Sequence, residues 1–149
     1  MEMNEGSCRF GLWHVHVYWS ETCIHACRFS RDPLPGRVPV ELQRYCAGIR
    51  EDLQCLSSVA LDPGYPYSAI YRRVREIPYG GTETYGAIGR EPDTSPRIIG
   101  LAMKRNPTPL VIPCHRVVSR KGIGGFTPDP EIKNALLTME RKNAMSISR

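Results

Sequence analysis

From Trp13 the chain alternates with a period of two: Trp13, Val15, Val17 and Trp19 fall on one face, and His14, His16 and Tyr18 on the other. This is the pattern of a half-buried strand. Ser20-Glu21-Thr22 reads as a turn and Cys23 to Phe29 as a returning strand, so the N-terminal region predicts a β-hairpin of a small sheet. Asp32-Pro33-Leu34-Pro35-Gly36 is too rich in breakers to be anything but a loop. The period then changes. Leu42, Tyr45, Cys46 and Ile49 follow helical spacing, predicting a helix from Val40 to about Leu53. Asp62-Pro63-Gly64 is the best candidate domain boundary.

Beyond that break the pattern is mostly helical. Ile70, Val74 and Ile77 form one apolar stripe on a helix that should end at Pro78. Thr82 or Thr84 can cap a short helix running through Tyr85 to Ile88. Ser95 reads as the cap of the next helix, with Pro96 at its first position and Ile99, Ala102 and Met103 inward, to about Arg105. Two short helices joined by a turn predict a helix-turn-helix. Leu110-Val111-Ile112 is an extended run beneath it, and Gly122 to Gly125 a glycine-rich stretch. A last helix begins at Asp129-Pro130, with Ile132, Ala135, Leu136 and Met139 on one face. No internal repeat or low-complexity tract is visible.

Charge sharpens this division. Residues 1–63 carry 6 Arg against 8 acidic residues, and residues 64–149 carry 14 Lys and Arg against 7. A basic second half is what a phosphate-facing surface requires. The length, 149 residues, suits one compact domain or two small ones sharing a core. No apolar run reaches the roughly 20 residues of a membrane span, and Met1 to Gly11 carries no export signal, so a cytoplasmic (or nuclear) address and reduced thiols are expected. Six cysteines stand at 8, 23, 27, 46, 55 and 114, irregularly spaced and five of them early, which favours free buried thiols over a disulfide framework.

Cys114 stands apart, in the basic half and inside Pro113-Cys114-His115-Arg116-Val117. The proline removes a backbone donor and fixes the local geometry. A cysteine is nucleophilic only as thiolate, and a neighbouring His or Arg is what lowers its pKa.

Residues from about Ile70 to Glu140 resemble the O6-alkylguanine-DNA alkyltransferases nearly end to end. The resemblance is carried by Ile77-Pro78-Tyr79-Gly80-Gly81-Thr82, by Thr84 to Gly89, by Arg97, Gly100, Ala102-Met103 and Asn106-Pro107, by Ile112 to Val118, and by Lys133, Leu136, Leu137 and Glu140. It implies an α+β fold: a small ribonuclease-H-like β-sheet domain over residues 1–62, then a mostly helical, winged-helix-like domain with a helix-turn-helix over 63–149. It also implies direct-reversal repair of duplex DNA containing alkylated guanine, by a monomer that needs no cofactor or metal. Cys114 would be the acceptor, consumed once. His115 would take the thiol proton, and Glu140 would orient His115. Asn106 would tie the recognition helix to the active-site turn. Tyr85 would turn the 3′ phosphate, and Arg97 would fill the gap left by the flipped base. Gly100 and Ala102 would permit close approach to DNA, with Ile98 standing where alanine is usual. Phe126 and Thr127, on a loop shorter than usual, would line the alkyl pocket, and the carbonyls of Cys114 and Val117 would face the base.

Other readings remain at this point. Alkyltransferase-like proteins share the fold but lack the acceptor cysteine. Cys23, His25 and Cys27, with Cys8 or His14, offer a zinc set of non-standard spacing, or a Cys23–Cys27 disulfide. A thiol hydrolase would need an oxyanion hole for which nothing specific speaks.

Overall fold

The computed structural model describes residues 2–91 and 93–147. Strands β1 (Asn4–Phe10), β2 (Trp13–Ser20) and β3 (Cys23–Ser30) form an antiparallel meander. The predicted hairpin is β2–β3. Its register shifts between Tyr18 and Trp19, and His16 is buried along with Val15 and Val17. β1 is an addition that the alternation of residues 13–29 does not announce: its inward positions, Gly6, Cys8 and Phe10, include only one large apolar side chain. A short β4 (Ser57–Ser58) runs parallel to the start of β3.

Between them lies α1 (Val40–Cys46), seven residues shorter than the helical spacing predicts. The cause is Gly48, in the left-handed region at φ 89°. Gly48 N–H donates to the Tyr45 carbonyl and Ile49 N–H to the Arg44 carbonyl, both at 3.1 Å, which is the paired Schellman closure of a helix end. Tyr45 and Cys46 are thereby held in the last turn, and Ile49 is left 54 % exposed.

α2 (Ser68–Val74) also stops early. The Ile77 N–H bonds back three residues to Val74, because the residue before Pro78 is disfavoured in helical geometry. Ile70, Val74 and Ile77 are all buried as expected. α3 (Tyr85–Arg90) is capped by Thr84 Oγ1 on the Ala87 N–H at 3.1 Å, and α4 (Pro96–Lys104) by Ser95 Oγ on the Ile98 N–H at 3.2 Å. Ile88 and Ile99 are fully buried in the core these helices share, each contributing roughly 1.5–3 kcal/mol. A two-stranded parallel ladder, β5 (Glu83–Thr84) with β6 (Val117–Val118), joins the helix pair to the segment just after Cys114.

α5 (Pro130–Ile147) starts where predicted, with Asp129 Oδ1 accepting from the Glu131 N–H at 3.0 Å. Its buried face differs from the expected one. Ala135 is exposed, whereas Lys133 and Glu140 are buried beside Ile132, Leu136 and Leu137. Two apolar clusters result. One joins the sheet and α1 to Leu110, Val111, Ile132 and Leu136; the other gathers α2, α3 and α4 around Ile112 and Val117. Cys27 N–H donates to the Pro107 carbonyl at 2.8 Å, stitching β3 to the segment after α4. No helix among the described residues is long and apolar enough to cross a membrane.

Candidate active site

Pro113 sits at φ −77°, ψ 66°, the geometry of an inverse γ-turn. Its closure is the Cys114 N–H on the Ile112 carbonyl at 2.7 Å. Residues 114–116 then take a single 3-10 turn. Asn106 secures this from the other side, its Nδ2 donating to the same Ile112 carbonyl at 2.8 Å while Oδ1 accepts from the Thr108 N–H at 3.0 Å. The end of α4 is thus tied to the cysteine turn by one amide side chain.

Cys114, 7 % exposed, lies in the wall of a cavity of about 650 Å³. Tyr85, Gly100, Met103, Asn106, Phe126 and Thr127 share that wall, and Cys27, Arg28 and Phe29 contribute from β3. Phe126 packs edge-on against Phe29 with centroids 5.7 Å apart, pinning the loop to the sheet. Gly124 (φ 84°) passes so close that a Cβ there would stand 2.8 Å from Tyr85 Oη, so the loop needs glycine at this point.

Behind the thiol is a buried polar network. His115 Nε2 and Glu140 Oε2 are 2.7 Å apart, both residues fully buried. Arg116 grips the same carboxylate through Nε (2.8 Å) and Nη2 (2.9 Å), and its Nη1 donates to the Ile77 carbonyl. The Gly80 N–H reaches Oε1 at 3.3 Å, and the Tyr45 hydroxyl donates to Oε2. With Nε2 engaged, His115 Nδ1 is buried and has no hydrogen-bond partner among the described residues. Burial alone would push Glu140 up, yet His115 and Arg116 outweigh it and hold the carboxyl well below the usual range. Burial lowers the pKa of His115 despite the carboxylate, so the resting imidazole is neutral.

The cation serving Cys114 is not the one the motif offers. Arg116 turns away to Glu140, whereas Lys133, 1 % exposed, stands close enough to act on the thiol. Lys133 Nζ donates to the Val117 carbonyl at 2.6 Å and lies 5.7 Å from the Tyr85 ring centre. Burial brings its pKa down to about 8. Burial also pushes the Cys114 thiol up, and the Asn106 amide, the Lys133 charge and nearby backbone N–H groups only partly pull it back. The thiol rests protonated, which makes a nearby base necessary.

The remaining expected site residues divide. Arg97 is exposed near the start of α4 and makes no hydrogen bond or ion pair among the described residues. Ile98 is half-buried, and a Cβ on Gly100 would meet open space. Ala102 is corrected: it is fully buried in the second core, and its carbonyl accepts from Tyr71 Oη at 2.8 Å, so its small size serves packing and not a DNA-facing surface. The Val117 side chain is fully buried in the second core and does not line the cavity, and its carbonyl accepts from Lys133 Nζ at 2.6 Å. The network adds Tyr45 and Gly80, for which residue type and spacing gave no signal, and brings Lys133 close enough to act on the thiol. One signal for Lys133 existed: it falls between Ile132 and Leu136 on the buried stripe of α5.

Among the described residues no group of three or more His, Cys, Asp or Glu is arranged to hold a metal ion, and His25 is bonded to Ser20 Oγ at 2.8 Å. Cys23 and Cys27 are free thiols.

An N-terminal sheet followed by a helical half, with a thiol at their shared cavity and a histidine–carboxylate pair behind it, defines a class of α+β protein built around one cysteine in a cavity wall. Residues 66–142 match the family model described as the 6-O-methylguanine DNA methyltransferase, DNA binding domain, and the chain belongs to that family. It is 48 % identical over 73 residues to a methylated-DNA–protein-cysteine methyltransferase of Methanocaldococcus jannaschii, covering 49 % of this chain and 44 % of that protein. A protein of the same description from Thermococcus gammatolerans is 38 % identical over 118 residues, covering 76 % and 66 %. The match to the first of these relatives thus spans less than half of its length. The crystal structure of Mycobacterium tuberculosis O6-methylguanine methyltransferase has the same fold, with a TM-score of 0.75 over 99 % of this chain and 100 % of that one, at 21 % identity.

Proposed function

We propose that the chain repairs alkylated DNA by a single, irreversible transfer: the alkyl group of O6-alkylguanine moves to Cys114 Sγ after the base has turned out of the duplex. One observation carries this reading. The thiol in the cavity wall is followed directly by a neutral imidazole whose Nδ1 is buried without a partner and whose Nε2 is held on Glu140. In the reaction the thiol proton passes to His115, directly or through a water. Sulfur then forms its bond to the alkyl carbon as the C–O bond breaks, and guanine leaves with the electron pair on O6. That charge is neutralised when guanine takes up a proton from water and His115 gives the thiol's proton back to solvent, so thiol and alkylguanine become thioether and guanine. A saturated carbon suits a soft thiolate, and Lys133 steadies the developing negative charge.

Duplex DNA is the partner this reading requires. The excess of basic residues after residue 63, the free Arg97 and the accessible Gly100 on α4 support a DNA-facing α3–α4 pair, with Tyr85 turning the phosphate and Arg97 entering the stack. Within this reading residues 1–62 form the ribonuclease-H-like unit (a meander, a helix and a parallel strand), and residues 63–149 the winged-helix-like one. A monomer in the cytoplasm suits the chemistry, since the thiol must stay reduced. O4-alkylthymine, whose alkyl oxygen presents the same carbon to sulfur, is a second substrate of the same class.

Incubation with O6-methylguanine DNA should add one methyl mass to Cys114, at most once per molecule. Multiple turnovers, or transfer by a Cys114→Ala variant, would overturn the proposal. A benzylguanine substrate reports the cavity's width in the same assay.

A further inference from the structure

Tyr45 belongs to α1, 70 residues before His115 and 95 before Glu140 in the chain, yet its hydroxyl lies between them. It donates to Glu140 Oε2 and stands 3.3 Å from His115 Nε2, and the side chain is fully buried. The ring meets His115 edge-on at 6.5 Å and 60°, and Tyr79 at 6.0 Å and 82°. Its position is doubly fixed. The closure at Gly48 sets the helix end, and Asn143 Nδ2 of α5 donates to the Gly48 carbonyl at 2.9 Å. Burial and the neighbouring carboxylate raise the phenol's pKa far enough that it stays a neutral donor.

Oε2 of Glu140 is therefore shared by the Tyr45 hydroxyl, the His115 N–H and Arg116 Nη2. Every donor on a carboxylate oxygen lowers its remaining pull on the others. Arg116 and Gly80 are joined to the site by the second half of the chain; Tyr45 acts from the first. We infer that Tyr45 is a positioning residue for alkyl transfer: its hydroxyl occupies Glu140 Oε2 so that the carboxylate orients His115 without drawing a second proton onto the ring, leaving Nδ1 free for the thiol proton. The inference rests on the alkyl-transfer reading above. The charged and titratable groups around His115 are Glu140 and Lys133 from α5, Arg116 and Cys114 beside it, and Tyr45 from α1. Of these, the Tyr45 hydroxyl alone can be deleted with one oxygen atom and no change of charge.

The test compares the full-length protein with Tyr45→Phe, which keeps the ring and its edge contacts. NMR titration of the His115 imidazole and the pH profile of single-turnover methyl uptake from O6-methylguanine DNA are measured on both. Losing a hydrogen bond to a charged group should raise the His115 midpoint, and with it the acid limb of the rate profile, by about one pH unit. Replacing Tyr45 with 3-fluorotyrosine, nearly the same size and a stronger donor, should move both downward. Tyr79→Phe removes a neighbouring hydroxyl that bonds Asn143 and neither Glu140 nor α1, keeps the ring against Tyr45, and should leave both in place. Unchanged midpoints in Tyr45→Phe and 3-fluorotyrosine protein would overturn the role, as would an equal shift in Tyr79→Phe, which would mark a purely structural effect. Should the His115 midpoint move as expected while the unsubstituted protein takes up no methyl group, the role of Tyr45 stands and the alkyl-transfer reading falls.

Discussion

Cys27 and Cys114 line one cavity, one from β3 and one from the turn after Pro113. They are equally hidden, 6 % and 7 % exposed, and burial pushes both thiols up. What differs is the company. Cys27 has Cys8 nearby, which raises it further; Cys114 has the Asn106 amide, the Lys133 ammonium and backbone N–H groups, all acting the other way. A buried cysteine is inert by default. Under the proposed transfer, what would set Cys114 apart is the turn and α5, not the cavity both thiols share.

The sharpest way to break the comparison is to exchange the roles by substitution. Cys114→Ser should abolish methyl uptake, read by intact mass. Cys27→Ser should retain it while losing about 1–3 kcal/mol of stability in a urea melt, the cost of hiding a hydroxyl. Loss of uptake in both would mean that the β3 wall takes part in the chemistry.

Glu140→Gln comes next. It strips Arg116 of its buried counter-charge and should cost about 3–5 kcal/mol. The pH dependence has a definite sign. Because the folded-state pKa of Glu140 is depressed, its contribution is present above the unfolded value of about 4.3 and is lost as pH falls below it. The variant's stability should therefore fall less steeply with acid than that of the unsubstituted protein.

Lys133→Met sharpens the contrast most gently. Removing the ammonium leaves Cys114 closer to the condition of Cys27, and single-turnover uptake at neutral pH should slow by roughly tenfold, the worth of about one pKa unit. Stability should move the opposite way. With its pKa brought down to about 8, Lys133 binds fewer protons folded than unfolded between there and about 10.5, so stability rises with pH across that window. The variant should lack that rise and be the more stable protein below pH 8, as measured by thermal melts.

What could be read from sequence was local. Thr84, Ser95 with Pro96, and Asp129 cap helices through atoms two or three residues away, so α3, α4 and the start of α5 were legible. The end of α1 was equally local, but Gly48 inside an apolar period was outvoted by Ile49. β1 was hidden because its inward positions are Gly6 and Cys8 as well as Phe10. In the site, Pro113 and Asn106 shape the cysteine turn through bonds within six residues, so that turn was legible, whereas His115 depends on Glu140, 25 residues later. Tyr45 is brought to Glu140 by tertiary packing across 95 residues, which no spacing rule encodes. Ala102 and Val117 show the converse: small or apolar side chains that suit a surface or pocket role equally suit a core, and packing decided for the core.

The position of Glu140 also sets the order in which the site can come into being. Its partners lie 95, 60, 25 and 24 residues earlier. On a ribosome that makes the chain from the amino end, Cys114 and His115 emerge first, without their carboxylate and without the ammonium of Lys133. A nascent thiol at that stage is an ordinary one. Under the proposed transfer, the cysteine gains its carboxylate-held histidine and its ammonium only once the last helix has been synthesised and has docked.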